Sequence, residues 1–254
     1  MERDTEREMG RAPSFAQEST AQLRRALRES PDPARATQEK RYLKSPFQFI
    51  GAPVPKIRSI AKGFRHEHRD LPKETLWEVC WDLWQGDVHE ERALAMLLLD
   101  EFRGLLDIDD MPALERMLRE SVNWDQVDEI AAHLVGAVLR KDDRALESLK
   151  RWAKDDNFWM RRAALLSQLL LFREGVGDRA LFYSLAGDMM EEKEFFIRKA
   201  IGWVLRDISR VEPEEVARFV AENRERMSGV TFREATRRLP QPLLEQLGQA
   251  GKRR

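Results

Sequence analysis

The stretch WDQVDEIAAHLVGAV, residues 124–138, decides how the whole chain is read. It has the apolar spacing of an amphipathic helix, with one residue out of pattern, Asp128. Aligned with the helices expected to begin near His89, Trp159, Phe196 and Thr231, its fifth position falls in the series Ala93, Asp128, Ala163, Ala200, Ala235. The spacings are 35, 35, 37 and 35 residues. Three of the five helices open on an aromatic (Trp124, Trp159, Phe196), and the last three carry Arg161, Arg198 and Arg233 at position three. A helix-pair repeat of this length marks an α-solenoid of the HEAT or TPR sort. The repeated alanines fall where helices approach closely. The expected fold is therefore all-α, a right-handed α-α superhelix with a concave face suited to a long ligand.

The 254 residues suffice for a substantial core. Charged residues make up 35% of the chain, and no apolar run reaches the ~18–20 residues of a membrane span. The N-terminal MERDTEREMGRAPSF is charged and unlike a signal segment. The single cysteine, Cys80, excludes an intrachain disulfide framework and fits a reducing cytosol. A cytoplasmic location is expected, with no membrane partner.

Helical periodicity covers nearly everything. Helices are predicted over 15–29, 33–44, 55–68, 73–85, 89–104, 110–121, 124–140, 142–154, 157–173, 177–190, 194–210, 212–226, 230–238 and 240–249. Proline and glycine punctuate the breaks, among them Pro72, Gly86, Gly175 and Pro213. The domain layout expected is a loose tail over 1–14, one solenoid domain over 15–249 and a basic tail over 250–254.

Net charge is only −1, but it is unevenly spread. Residues 40–69 carry a net of +7, residues 74–110 a net of −9, and residues 229–254 a net of +4. Such segregation either builds a basic face for nucleic acid or merely solvates helix surfaces.

Asp128 poses the sharper question. A carboxylate in a small-residue position is costly to bury without a partner. Either a nearby arginine neutralises it, or it projects into the groove and does chemistry. The period places Trp124 one turn before it on the same face, Arg162 beside the equivalent alanine of the next repeat, and Trp203 three residues past that of the repeat after. Each tryptophan taken alone is as readily a core residue. Other motifs carry little. His66 and His68 do not share a helix face, which argues against a metal site, and Trp77, Trp81 and Trp84 form a stripe expected in the core, with Cys80 buried beside it.

Four stretches, RYLKSPFQFIG (41–51), NWDQVDEI (123–130), DNFWMRRAALLSQL (156–169) and KEFFIRKAIGWVLRDIS (193–209), closely resemble the HEAT-like-repeat DNA glycosylases of the AlkD type, bacterial alkylation-repair enzymes. The resemblance runs in order from about residue 20 to 240. It implies a catalytic aspartate at Asp128, groove tryptophans at Trp124 and Trp203, and a lesion-side arginine at Arg162 that holds a phosphate. It implies backbone contacts from Arg206 and Arg210; Arg198, Arg233 and Lys56 join them as DNA-binding candidates. The chain departs from the pattern at Asn123–Trp124, where the family often has paired tryptophans, and in its longer, charged N-terminal tail.

The function so implied is a monofunctional DNA glycosylase that hydrolyses the N-glycosidic bond of cationic N3- or N7-alkylated purines in double-stranded DNA. It needs no cofactor or metal and is expected to work as a monomer, nucleoid-associated when bound. The alternative is a noncatalytic helical-repeat module that binds DNA or protein.

Overall fold

The structure, a computed structural model, describes residues 13–250, with side chains to 248. Most of the expected N-terminal tail and nearly all of the C-terminal one lie outside the described residues. Among the described residues the protein is helical and forms no strand; one isolated parallel bridge joins Gln48 to Val88. No described helix is long and apolar enough to cross a membrane. Contacts gather into two compact units, one ending at Leu105 and one beginning at Leu106.

The first unit is built from helices Phe15–Leu27, Pro33–Leu43, Val54–Glu67, Lys73–Trp84 and His89–Glu101. Local chemistry sets their starts. Ser14 and Gln17 form a reciprocal capping box, and Asp32 caps a helix whose first residue is Pro33. Two buried glutamates tie the unit together. Glu90 accepts from the backbone N–H groups of Ile50 (3.0 Å) and Gly51 (2.6 Å). Glu91 accepts from Arg24 (2.9 Å) and Arg28 (2.8 Å). Gly51 has φ +85°, and a Cβ there would lie 2.0 Å from the Asp32 carbonyl oxygen, so no other residue fits. Of the tryptophan stripe, only Trp84 is in the core; Trp77 and Trp81 stack on each other, half-buried. Cys80 is buried as expected, and burial pushes its thiol pKa up.

The second unit holds the repeat. A row of helices stacks in order: Trp124–Glu129 on Phe158–Leu166, that on Phe195–Ile208, and that on Gly229–Thr236. Ala163, Ala200 and Ala235 are fully buried, as close helix approach requires. Ala93, their counterpart in the first unit, is only partly buried. Gly202 makes the tightest passage: a Cβ there would lie 2.6 Å from Glu234 Cβ and 2.8 Å from the Thr231 carbonyl oxygen.

Polar pairs run through this unit about one period apart. Arg119 reaches Asp155, Arg162 reaches Asp128, Arg140 reaches Glu174, Arg173 reaches Asp207 and Lys199 reaches Glu234, across 36, 34, 34, 34 and 35 residues. Exposed pairs of this sort contribute about 0–1 kcal/mol each. Among these five, only the Arg162–Asp128 pair has both side chains largely withdrawn from solvent, at 4% and 14% exposed.

The helix bearing Asp128 is not a plain α-helix. Trp124–Glu129 is α-helical, Ile130–Val135 widens into a π turn, and Gly136–Leu139 resumes the α-helix. Single π turns inside α-helices recur at functional positions. The expected 157–173 helix also divides, with a turn between Phe158–Leu166 and Leu169–Arg173.

Candidate active site

The helix that opens at Trp124 presents two distinct faces. Gln126, Val127, Ile130 and Ala131 are buried, while Trp124, Asp125, Asp128 and Glu129 keep partial exposure. Trp124 and Asp128 sit one turn apart on that second face.

Arg162 meets Asp128 from the neighbouring helix in a two-pronged ion pair. Its Nε donates to Oδ1 at 2.7 Å and its Nη2 to Oδ2 at 2.7 Å. Its Nη1 donates to the Phe196 carbonyl oxygen at 2.6 Å, and its guanidinium carbon lies 5.8 Å from the Phe196 ring centre. One side chain thus links three successive helices of the repeat. The phosphate contact expected of Arg162 stands beside these internal bonds, which already commit one N–H of each nitrogen. The guanidinium is buried, and all three of its nitrogens already donate to the protein.

Burial pushes the Asp128 carboxyl above its usual range; the hydrogen bonds and charge of Arg162 pull it back, and Asp125 adds to the upward push. The net direction is upward. Both oxygens of the carboxylate are held in position by the two prongs of Arg162.

Trp203 lies on Phe195–Ile208, two turns beyond Phe196 and so about 10 Å further along the helix axis. It is partly exposed, and its indole Nε1–H donates to Asp207 Oδ2 at 3.1 Å. Asp207 is 1% exposed and also accepts from Arg173 (Nη2 2.8 Å, Nε 3.1 Å), with Arg210 Nε 3.2 Å from its other oxygen. The sequence reading missed Asp207. Its position four residues after Trp203 was the only available signal.

The proposed DNA-binding residues divide by what they already hold. Arg206 is paired with Glu234, which Lys199 shares. Arg198 Nε donates to the Glu192 carbonyl oxygen at 2.6 Å, and Lys56 lies 3.4 Å from Glu29 in the first unit. Arg210 is 45% exposed, and Arg233 is exposed at the surface. Aromatic rings cluster at the starts of the two central helices: Trp159 lies 4.4 Å from Phe158 and 4.9 Å from Phe196, between ring centres.

A family model described as DNA alkylation repair enzyme matches residues 23–239. The chain belongs to that family. Its fold is that of family members. A predicted DNA alkylation repair enzyme from Enterococcus faecalis is 26% identical with TM-score 0.76, the match covering 85% of this chain and 99% of that one. AlkD2 from Streptococcus mutans is 17% identical with TM-score 0.61, over 88% of this chain and 99% of that one, a likeness of fold alone. No curated protein is significantly similar in sequence. The all-α helical-repeat architecture expected from the 35-residue period is that of these structures, and membership of the family carries a role in DNA alkylation repair.

Proposed function

We propose that the protein is a monofunctional DNA glycosylase for cationic N3- and N7-alkylated purines in double-stranded DNA. One observation carries the reading: a carboxylate, Asp128, is held rigidly by a buried arginine yet keeps an exposed edge one turn from a partly exposed tryptophan.

The chemistry follows from the lesion's charge. A purine alkylated at N3 or N7 is cationic and departs as a neutral base without a general acid. Positive charge then grows on the deoxyribose as the N-glycosidic bond stretches. Asp128 stabilises that charge and orients the attacking water. Trp124 and Trp203 offer electron-rich faces to the cationic sugar. Arg162 works through Asp128, fixing both oxygens so that no reorganisation is needed as charge develops. Arg210 and Arg233, with Arg198, Arg206 and Lys56 once their present partners yield, contact phosphates, which carry no base identity. The protein acts as a monomer in the cytoplasm, on the nucleoid, without cofactor or metal.

The same ion pair favours a second reading, a noncatalytic DNA-binding module. A carboxylate neutralised by arginine also serves as a plain link between repeats. Incubation with duplex DNA containing N7-methylguanine separates the two. Free base released in proportion to enzyme supports the glycosylase; tight binding with no base released from either N3- or N7-methylated purines leaves the binding module.

A further inference from the structure

We infer that Asp207 is a positioning residue that fixes the indole of Trp203, an assignment whose catalytic consequence rests on the glycosylase reading. Trp203 would otherwise turn about its side-chain bonds, since part of the ring is in solvent. Its N–H end is tied inward, at 3.1 Å, to a carboxylate that is almost wholly buried. That carboxylate is itself immobilised. Arg173, from the helix Leu169–Arg173 of the preceding repeat, donates twice to the same Oδ2, and Arg210 approaches Oδ1. A single acceptor therefore sets the plane in which Trp203 presents its face. The arrangement parallels that around Asp128, where a buried arginine one repeat away fixes a carboxylate. Here the carboxylate fixes an aromatic ring. Asp207 touches no reacting atom in this scheme and acts only through Trp203.

The test reads the indole directly. In the ¹⁵N-labelled full-length protein, the Trp203 indole N–H resonance is identified by its absence in Trp203→Phe. In Asp207→Ala this resonance should move, and its hydrogen exchange should quicken by up to about tenfold, the scale of one lost hydrogen bond. Single-turnover base release at saturating protein should fall, a readout independent of any change in DNA affinity that follows from freeing Arg210. Asp207→Asn keeps an acceptor oxygen and should restore much of both. Arg173→Ala, at a side chain 38% exposed, should produce a smaller shift in the same direction, and it serves if Asp207→Ala fails to fold. A resonance and exchange rate unchanged in Asp207→Ala, or unchanged in Arg173→Ala where the alanine variant at 207 cannot be made, overturns the assignment. A moved resonance with unaltered base release overturns the catalytic consequence. Should the wild type release no base at all, the indole measurement still decides whether Asp207 holds Trp203, and only the glycosylase reading falls.

Discussion

At the scale of single residues, Asp128 keeps the role that the repeat suggests, while Arg162 serves it as a support. The 35-residue period placed the two side by side, and the structure joins them at 2.7 Å through both prongs. What spacing could not reveal was how many partners the arginine already has. A guanidinium bound to Asp128 and to the Phe196 carbonyl is a support for the carboxylate. Arg162→Ala should therefore destabilise the fold by about 3 kcal/mol, the cost of stranding a buried charge, measurable by urea unfolding. It should leave the salt dependence of DNA binding unchanged, which distinguishes support from phosphate contact.

The Asp128 carboxyl also gives a pH signature. Its pKa in the folded protein lies above 3.8, so the folded state binds the proton more tightly than the unfolded one. Stability then declines as pH rises through the folded value, where the buried group ionises. Activity runs oppositely, since only the carboxylate stabilises a cationic sugar. The acid limb of the kcat/KM profile should fall at a pH above that of an ordinary aspartate. In Arg162→Ala that limb should move higher still, because the hydrogen bonds and charge opposing the upward push are gone. An acid limb at or below the ordinary value would contradict this electrostatic picture.

At the scale of elements, most helices were legible because proline, glycine and capping residues mark their ends. The π turn at Ile130–Val135 was not. It shifts the hydrogen-bond register by one residue while leaving the apolar pattern nearly intact, so periodicity cannot detect it. The alanine series was sound where helices stack in a row and failed at Ala93, which is only partly buried. Trp77 and Trp81 likewise share the spacing of Trp84 without its burial, because i, i+4 neighbours can stack on each other in place of entering the core. Gly202 adds a feature that no pattern flagged. Helix Phe195–Ile208 and helix Gly229–Thr236 pass so closely there that a methyl group meets Glu234 and the Thr231 backbone. Gly202→Ala should destabilise by about 1–3 kcal/mol through overpacking, despite alanine's better helix propensity, as thermal unfolding would show. A neutral or stabilising result would mean that the two helices separate readily.

At the scale of the whole molecule, a net charge of −1 hides segregated basic segments, and family membership implies DNA as a partner of the chain. Contact with phosphates should make binding steeply salt-dependent and nearly blind to sequence. Neutralising Arg233, which is exposed, should lower the slope of log affinity against log salt by about one on unrelated duplexes. Arg103→Ala, paired with Asp100 in the acidic segment, serves as the control and should change nothing. Equal slopes in all three proteins would remove Arg233 from the interface. The fold and its relationship to alkylation repair were readable from repeat spacing and from the long KEFFIRKAIGWVLRDIS stretch. The division of the arginines between support and surface was not, because it depends on which carboxylate each one meets across a repeat.

The central claim is that the Asp128 charge drives departure of the alkylated base. The most direct measurement is single-turnover release of N7-methylguanine from saturated duplex by the wild type and by Asp128→Asn, with binding measured alongside. Loss of one fixed electrostatic stabiliser should slow release by about 10²-fold while DNA affinity remains close to wild type; thermal stability should fall, because the buried Arg162 loses its anionic partner. Release by Asp128→Asn at near-wild-type rate would contradict the account and leave Asp128 as a structural partner of Arg162.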